Sequence, residues 1–159
     1  MNTLIRKYLN LLSKSLTNKT FSQVSLLADD IQLTKLRNKK IYICGNGGSA
    51  ANAMHIANDL TYGAGIKSGK GFNIEALPAN TSVITCLAND IGYDKIFSEQ
   101  LRVKAKKGDL LVVLSGSGNS KNIIKAIEIS SKINLNIFSI LGFNGGEAKK
   151  LSKKYFHIE

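Results

Sequence analysis

The sequence predicts an α/β fold built on a parallel sheet, and two observations carry that prediction. Short apolar runs of strand length, at 41–44, 72–77, 109–114, 136–141 and 155–158, alternate with stretches of helical periodicity. Glycine-rich turns follow several of these runs and open the next helix, at 45–48, 115–120 and 142–146. Alternation through short turns implies right-handed crossovers between parallel strands. Ligands of such sheets bind at the carboxyl ends of the strands.

The chain begins with two amphipathic helices. Leu4, Tyr8, Leu11, Leu12 and Leu16 recur near helical spacing over 3–16, and Phe21, Val24, Leu27, Ile31 and Leu36 do so over 21–36. Their apolar stripes suit packing or subunit contact rather than chemistry. In the polar joint at 17–20, Asn18 or Thr20 is expected to accept from the free N–H groups that open the second helix.

The stretch from Lys40 to Asp59 organises the rest. Ile41, Tyr42, Ile43 and Cys44 form a strand, and Gly45, Asn46, Gly47 and Gly48 supply a sharp turn. Ser49 is expected to cap the helix that follows, which runs to about Tyr62 and turns free N–H groups and a positive dipole end toward an anion. His55 and Asp59 are four residues apart, so they share one face of that helix, and the pair is expected beside the phosphate pocket. A satisfied core histidine with a solvated aspartate is the plain alternative. Residues 45–50 also fit the G-x-G-x-x-A dinucleotide fingerprint. The next strand, however, carries Glu75 in its middle and no acid at its end, so the ribose-binding carboxylate is out of place.

A glycine-lysine loop at 63–71 leads to the strand at 72–77, closed by Pro78. Residues 82–88 read equally as helix or strand, and 93–106 as one helix with Ile96, Phe97, Leu101 and Ala105 near one face. The strand at 109–114 enters a loop holding Ser115, Gly116, Ser117, Gly118 and Ser120, and a helix follows over 122–133. Those hydroxyls, with the helix N-terminus, can surround a phosphate using neutral donors. No G-K-[ST] follows, so the loop suits a phosphate monoester better than a nucleoside triphosphate; a polar capping loop is the alternative. The pattern closes with a helix to about 153 and the last strand.

At 159 residues with 43% hydrophobic and 21% charged content, the chain has the length and composition of one globular domain. Cys44 and Cys86 lie in apolar runs without C-x-x-C spacing and are expected as buried, reduced thiols in a cytoplasmic protein. The N-terminal segment is no signal peptide, and no apolar run approaches the roughly twenty residues of a membrane span. The net charge of +11 is spread over helical lysines without aromatic-basic motifs, which argues for solvated faces rather than for a nucleic-acid surface; a basic surface would also steer anionic sugar phosphates, but the charge by itself decides nothing.

These residues carry a resemblance. The segments GNGGS at 45–49, AMHIA at 53–57, ANDIGYD at 88–94, GDLL at 108–111 and SGNSKNIIKA at 117–126 resemble phosphoheptose isomerases, the sedoheptulose 7-phosphate isomerases of the sugar isomerase (SIS) superfamily. The resemblance implies a single SIS domain over 1–159, a three-layer sandwich whose five-stranded parallel, flavodoxin-like sheet is flanked by helices, with two N-terminal helices over 1–37. It implies a cytoplasmic homotetramer with sites at subunit interfaces. The implied reaction interconverts sedoheptulose 7-phosphate and D-glycero-D-manno-heptose 7-phosphate through an enediolate, feeding lipopolysaccharide or capsule, and some members bind zinc.

Position by position, Ser115, Ser117 and Ser120 resemble the phosphate-binding hydroxyls, with Gly116 where the family has threonine. Asn46, Gly47, Gly48 and Ser49, with Asn89 and Asp90, resemble the sugar-binding segments. His55 matches a metal-ligand histidine. Asp59 stands where the family places its catalytic, metal-binding glutamate, so the carboxylate is kept on a side chain one methylene shorter. The family continues past the last strand into a helix bearing a glutamine and a catalytic histidine; this sequence stops at Glu159, and His157 lies in the strand itself. A non-catalytic member, either a tetramer resembling DnaA initiator-associating proteins or a phosphosugar sensor, is the second reading.

Overall fold

The computed structural model describes residues 2–65 and 69–158. In chain order the elements are α1 (Asn2–Ser15), α2 (Asn18–Leu36), β1 (Ile41–Gly45), α3 (Gly48–Thr61), β2 (Ile74–Ala76), α4 (Thr81–Ile91), α5 (Ser98–Lys104), β3 (Leu110–Ser115), α6 (Lys121–Lys132), β4 (Asn136–Leu141), α7 (Gly146–Leu151) and β5 (Lys154–His157). Single 3-10 turns occupy Gly63–Gly65, Leu77–Ala79 and Tyr93–Lys95. Of the expected loop at 63–71, residues 66–68 lie outside the described residues.

All strand pairings are parallel, and the five strands lie in the order β2-β1-β3-β4-β5. The chain leaves β1 toward one edge and returns past it to β3, so the topological switch point falls between these two strands. Their register pairs Gly45 with Leu114, which brings the turns after β1 and β3 side by side.

Strand alternation sorts the core into two layers. Tyr42, Cys44, Leu111 and Val113 face one side, packed with Leu101 of α5, Ile123 and Ile127 of α6 and Ala148 of α7. Ile41, Ile43, Leu110 and Val112 face the other, packed with Ala53 and Ala57 of α3 and, from α2, Leu27 and Ile31. β1 and β3 are buried throughout, as strands covered on both faces should be.

Several expectations are corrected. The single helix at 93–106 is broken into a 3-10 turn and α5, with Ile96, Phe97 and Ser98 buried in succession at the junction. Residues 82–88 belong to a helix, α4. The strand at 72–77 shrinks to β2, pairing with β1 only over three residues. α2 is capped by Thr17, whose Oγ1 accepts from Thr20 N at 3.2 Å, rather than by Asn18 or Thr20. α3 starts one residue before Ser49, at Gly48, with Gly47 at the cap position and no side-chain cap. Cys44 is buried as expected, and burial drives its thiol pKa far up, but Cys86 is exposed on α4.

α1 buries none of its residues, leaving Leu4, Ile5, Tyr8, Leu9, Leu11 and Leu12 in the open, as is Leu16 just after it. Among the described residues no helix is long and apolar enough to cross a membrane.

Candidate functional site

A cavity of about 550 Å³ opens at the switch point, lined by Asn46, Tyr93, Asp94, Ser120, Lys121 and Asn122. Asn46 comes from the turn after β1, where Gly47 holds a φ of +55° that a side chain would strain, so the chain can leave the strand and enter α3 at once. Asn122 comes from the first turn of α6. The two carboxamides bond reciprocally, Asn46 Nδ2 to Asn122 Oδ1 at 2.9 Å and Asn122 Nδ2 to Asn46 Oδ1 at 2.8 Å. Tyr93 donates a third bond from its hydroxyl to Asn46 Oδ1 at 3.0 Å. Asp94, beside it, is bonded to Lys125 of α6, and that contact holds its carboxyl below the usual carboxylate range.

The serine loop rises from the carboxyl end of β3. Ser115 is buried, and its Oγ accepts from Gly118 N at 3.0 Å, which curls the loop back on itself and leaves the hydroxyl proton to donate. Ser117 Oγ accepts from Asn119 N at 3.2 Å. Ser120 sits at the cap position of α6 in extended conformation with no side-chain cap bond, so its hydroxyl and the helix's first N–H groups face the same opening. Gly116 and Ser117 are exposed. The 142–146 turn supports the loop from behind: Gly142 N donates to Gly116 O at 3.1 Å and Ala148 N to Gly118 O at 2.9 Å. The serine loop, the α6 N-terminus and the carboxamide pair therefore lie at the adjoining ends of β1 and β3, with Ser120 lining the cavity beside Asn46 and Asn122, and these are the kinds of donor a phosphate monoester needs.

The other expected site residues fall elsewhere. Gly47, Gly48 and Ser49 form the cap position and first turn of α3. Asn89 and Asp90 lie on the exposed last turn of α4, outside the cavity lining, where Asn89 Nδ2 donates to Asp90 Oδ1 at 2.9 Å and Cys86 Sγ to Asp90 Oδ2 at 3.3 Å. The bond from Asn89, then that from Cys86, lowers the Asp90 pKa, and Asp90 in turn raises that of the Cys86 thiol. His55 and Asp59 do form a pair, Nε2 to Oδ2 at 3.3 Å, but their side chains are 76% and 60% exposed. They lie about 10 and 16 Å along α3 from its N-terminus, and neither lines the cavity. Among the described residues no three His, Cys, Asp or Glu side chains gather as a metal site. Zinc takes three or four protein ligands, which this pair alone does not supply. His157 is engaged at both ring nitrogens, with Lys149 Nζ at 3.2 Å and Phe143 O at 2.9 Å, as befits a structural residue.

Asn122, Tyr93 and the Asp94–Lys125 pair were not singled out for the site by sequence reasoning. All four lie within the segments 88–94 and 117–126 that carry the resemblance, but what joins them, the pairing of Asn46 with Asn122 across 76 residues, is not local.

Fold and cleft together define a sugar-phosphate-binding domain of the SIS class, and the SIS domain family matches residues 5–142. The chain is 36% identical over 154 residues to a probable phosphoheptose isomerase of Thermoplasma acidophilum, covering 97% of this chain and 84% of that protein. It is 43% identical over 113 residues to the phosphoheptose isomerase of Helicobacter pylori, covering 71% of this chain but only 58% of that longer protein. Among solved structures, phosphoheptose isomerase from Neisseria gonorrhoeae superposes with a TM-score of 0.83 at 28% identity, over 98% of this chain and 82% of that one. The chain belongs to the phosphoheptose isomerase family.

Proposed function

We propose that the protein interconverts sedoheptulose 7-phosphate and D-glycero-D-manno-heptose 7-phosphate through an enediolate. The observation that carries this is the switch-point cleft, in which Ser120 and the α6 N-terminus offer neutral donors for the phosphate next to the Asn46 carboxamide, with Ser115 and Ser117 on the loop that leads into it, in a chain of this family. With the phosphate anchored, the sugar's carbonyl end extends away from the loop. A base removes a proton from the carbon beside the carbonyl, donors hold the charge that develops on oxygen, and the proton returns to the neighbouring carbon.

Asp59 is the proposed base, oriented by His55. Because Asp59 is exposed and lies outside the cleft lining, we take the base for a given phosphate from a second copy of the chain, with a tetramer as the working unit. The bare apolar face of α1 supports this, because an isolated helix of 14 residues is marginal in water without a partner. Light scattering should give four chains, and Leu12→Asp should dissociate them. Zinc, if bound, would take His55 and Asp59 with at least one further ligand; bound Asp59 could not serve freely as base, and the proton steps above are derived without the metal. Free thiols and a phosphorylated substrate fit a cytoplasmic enzyme.

The test is conversion of sedoheptulose 7-phosphate by the purified chain, with Asp59→Asn beside it. The variant should lose turnover yet keep its melting temperature within about 2 °C, since an exposed pair contributes little stability. One specific observation favours a phosphosugar sensor instead: the His55–Asp59 pair is exposed and lies outside the lining of the cleft. Sugar phosphate that raises the melting temperature without turnover would establish the sensor and remove the isomerase.

A further inference from the structure

We propose that Tyr93 is a positioning residue that, by bonding Asn46 Oδ1 directly, sets which end of the Asn46 carboxamide faces the substrate. The inference rests on the reading of the cleft given above and adds to it the polarity of one contact. Two carboxamides bonded reciprocally do not fix their own orientation: turning both over exchanges every donor and acceptor and preserves both bonds. The Asn46–Asn122 pair, at 2.9 and 2.8 Å, is of this kind. Asn122 is 2% exposed and cannot borrow a deciding partner from solvent.

Tyr93 breaks the symmetry. A phenol is a better donor than acceptor, because its oxygen lone pair is delocalised into the ring, and its hydroxyl lies 3.0 Å from Asn46 Oδ1. With bonds from Asn122 and Tyr93, both lone pairs of Oδ1 are used. Nδ2 gives one proton to Asn122 Oδ1 and keeps the other for the cavity that Asn46 lines. Asn46 therefore offers the sugar an N–H. That polarity complements an oxygen gaining negative charge as a carbonyl becomes an enediolate, whereas the reversed amide would set a lone pair against it. The neighbouring Asp94 ties this turn to Lys125 of α6, while Tyr93 itself is 56% exposed and its hydroxyl bonds Asn46. The hydroxyl therefore has little other work in the folded chain.

The experiment is a double-mutant cycle on the full chain with Tyr93→Phe, Asn46→Ala and both together, read by steady-state kinetics on sedoheptulose 7-phosphate. Tyr93→Phe should lower kcat about tenfold with KM changed less than threefold, because the affected contact strengthens as charge develops. Its melting temperature should stay within about 2 °C of the parent. In the Asn46→Ala background the same change should have no further effect, a result a merely structural tyrosine would not give. Equal losses in both backgrounds, or no loss in either, would overturn the inference while leaving the functional reading intact. Should the chain bind the sugar phosphate without turning it over, the cycle is read from Kd with the same criterion. A parent chain that neither converts nor binds it overturns the functional reading, and this inference with it.

Discussion

Gly118→Ala tests whether the serine loop depends on the turn behind it. Gly118 has a φ of +67°, and a Cβ there would lie 2.0 Å from Gly145 O and 2.5 Å from its carbonyl carbon. The left-handed conformation alone costs a side chain about 1–2 kcal/mol. The clash is with backbone, so no rotamer relieves it and the two loops must part. Parting them removes the bond from Ala148 N to Gly118 O and strains the one from Glu147 N to Asn119 Oδ1, for about 1 kcal/mol each. The expected loss is about 3–4 kcal/mol, a large share of the roughly 5–15 kcal/mol that holds a typical domain folded. In urea, where m is about 1–3 kcal/mol/M, the midpoint should fall by at least about 1 M. Because Gly118 N also bonds Ser115 Oγ, affinity for the sugar phosphate should fall at least about tenfold with it. Gly48→Ala is the control: a Cβ there meets nothing within 4 Å and its φ is not in the left-handed region, so stability should hold or rise slightly at the start of α3. A Gly118→Ala chain within about 1 kcal/mol of the parent, with unchanged binding, would refute the account of the loop.

Ser115→Ala and Ser120→Ala should separate stability from binding. The first leaves the buried Gly118 N–H without its acceptor and should cost about 1–2 kcal/mol in urea unfolding, whereas the second removes no cap bond and should leave the midpoint alone, yet both should weaken phosphate binding by calorimetry. Glu75, on β2, is resisted by burial but held below its ordinary pKa by hydrogen bonds from Lys104 and Lys40, at 2.6 and 2.5 Å. A depressed carboxyl stabilises above its unfolded value, about 4.3, and that share is lost as pH falls through the folded one. Urea midpoints from pH 7 down to pH 3 should therefore show a shallower acid decline for Glu75→Gln, and an unchanged decline would reject the ion cluster as its source. The exposed Cys86 thiol, raised by Asp90, should react with a disulfide reagent more slowly than a free thiol, and Asp90→Asn should speed it; Cys44 should react only on unfolding.

The strands that sequence reasoning placed best, β1, β3 and β4, are apolar runs closed by glycine turns, where local composition and burial on both faces point the same way. α6 and the serine loop were legible for a similar reason, since capping and turn chemistry act within a few residues. The break at Ile96 and Phe97 was not, because helical periodicity is ambiguous when adjacent apolar residues must all reach the core. Cys86 misled for the complementary reason: an apolar neighbourhood in the chain says nothing of which helix face meets solvent.

By itself the sequence determined a parallel α/β sheet, a phosphate-suited loop after one strand and an imidazole-carboxylate pair four residues apart on one helix. The signals for these (strand-length apolar runs closed by glycine turns, loop chemistry and a four-residue spacing) each lie within a short stretch of chain. Only the tertiary structure decided that β1 and β3 lie side by side, that Asn46 thereby meets Asn122 and Tyr93, and that His55 and Asp59 face outward rather than into the cleft. Strand order and helix rotation are settled by how the two core layers pack, an energy summed over the whole chain, which no short stretch of residues carries.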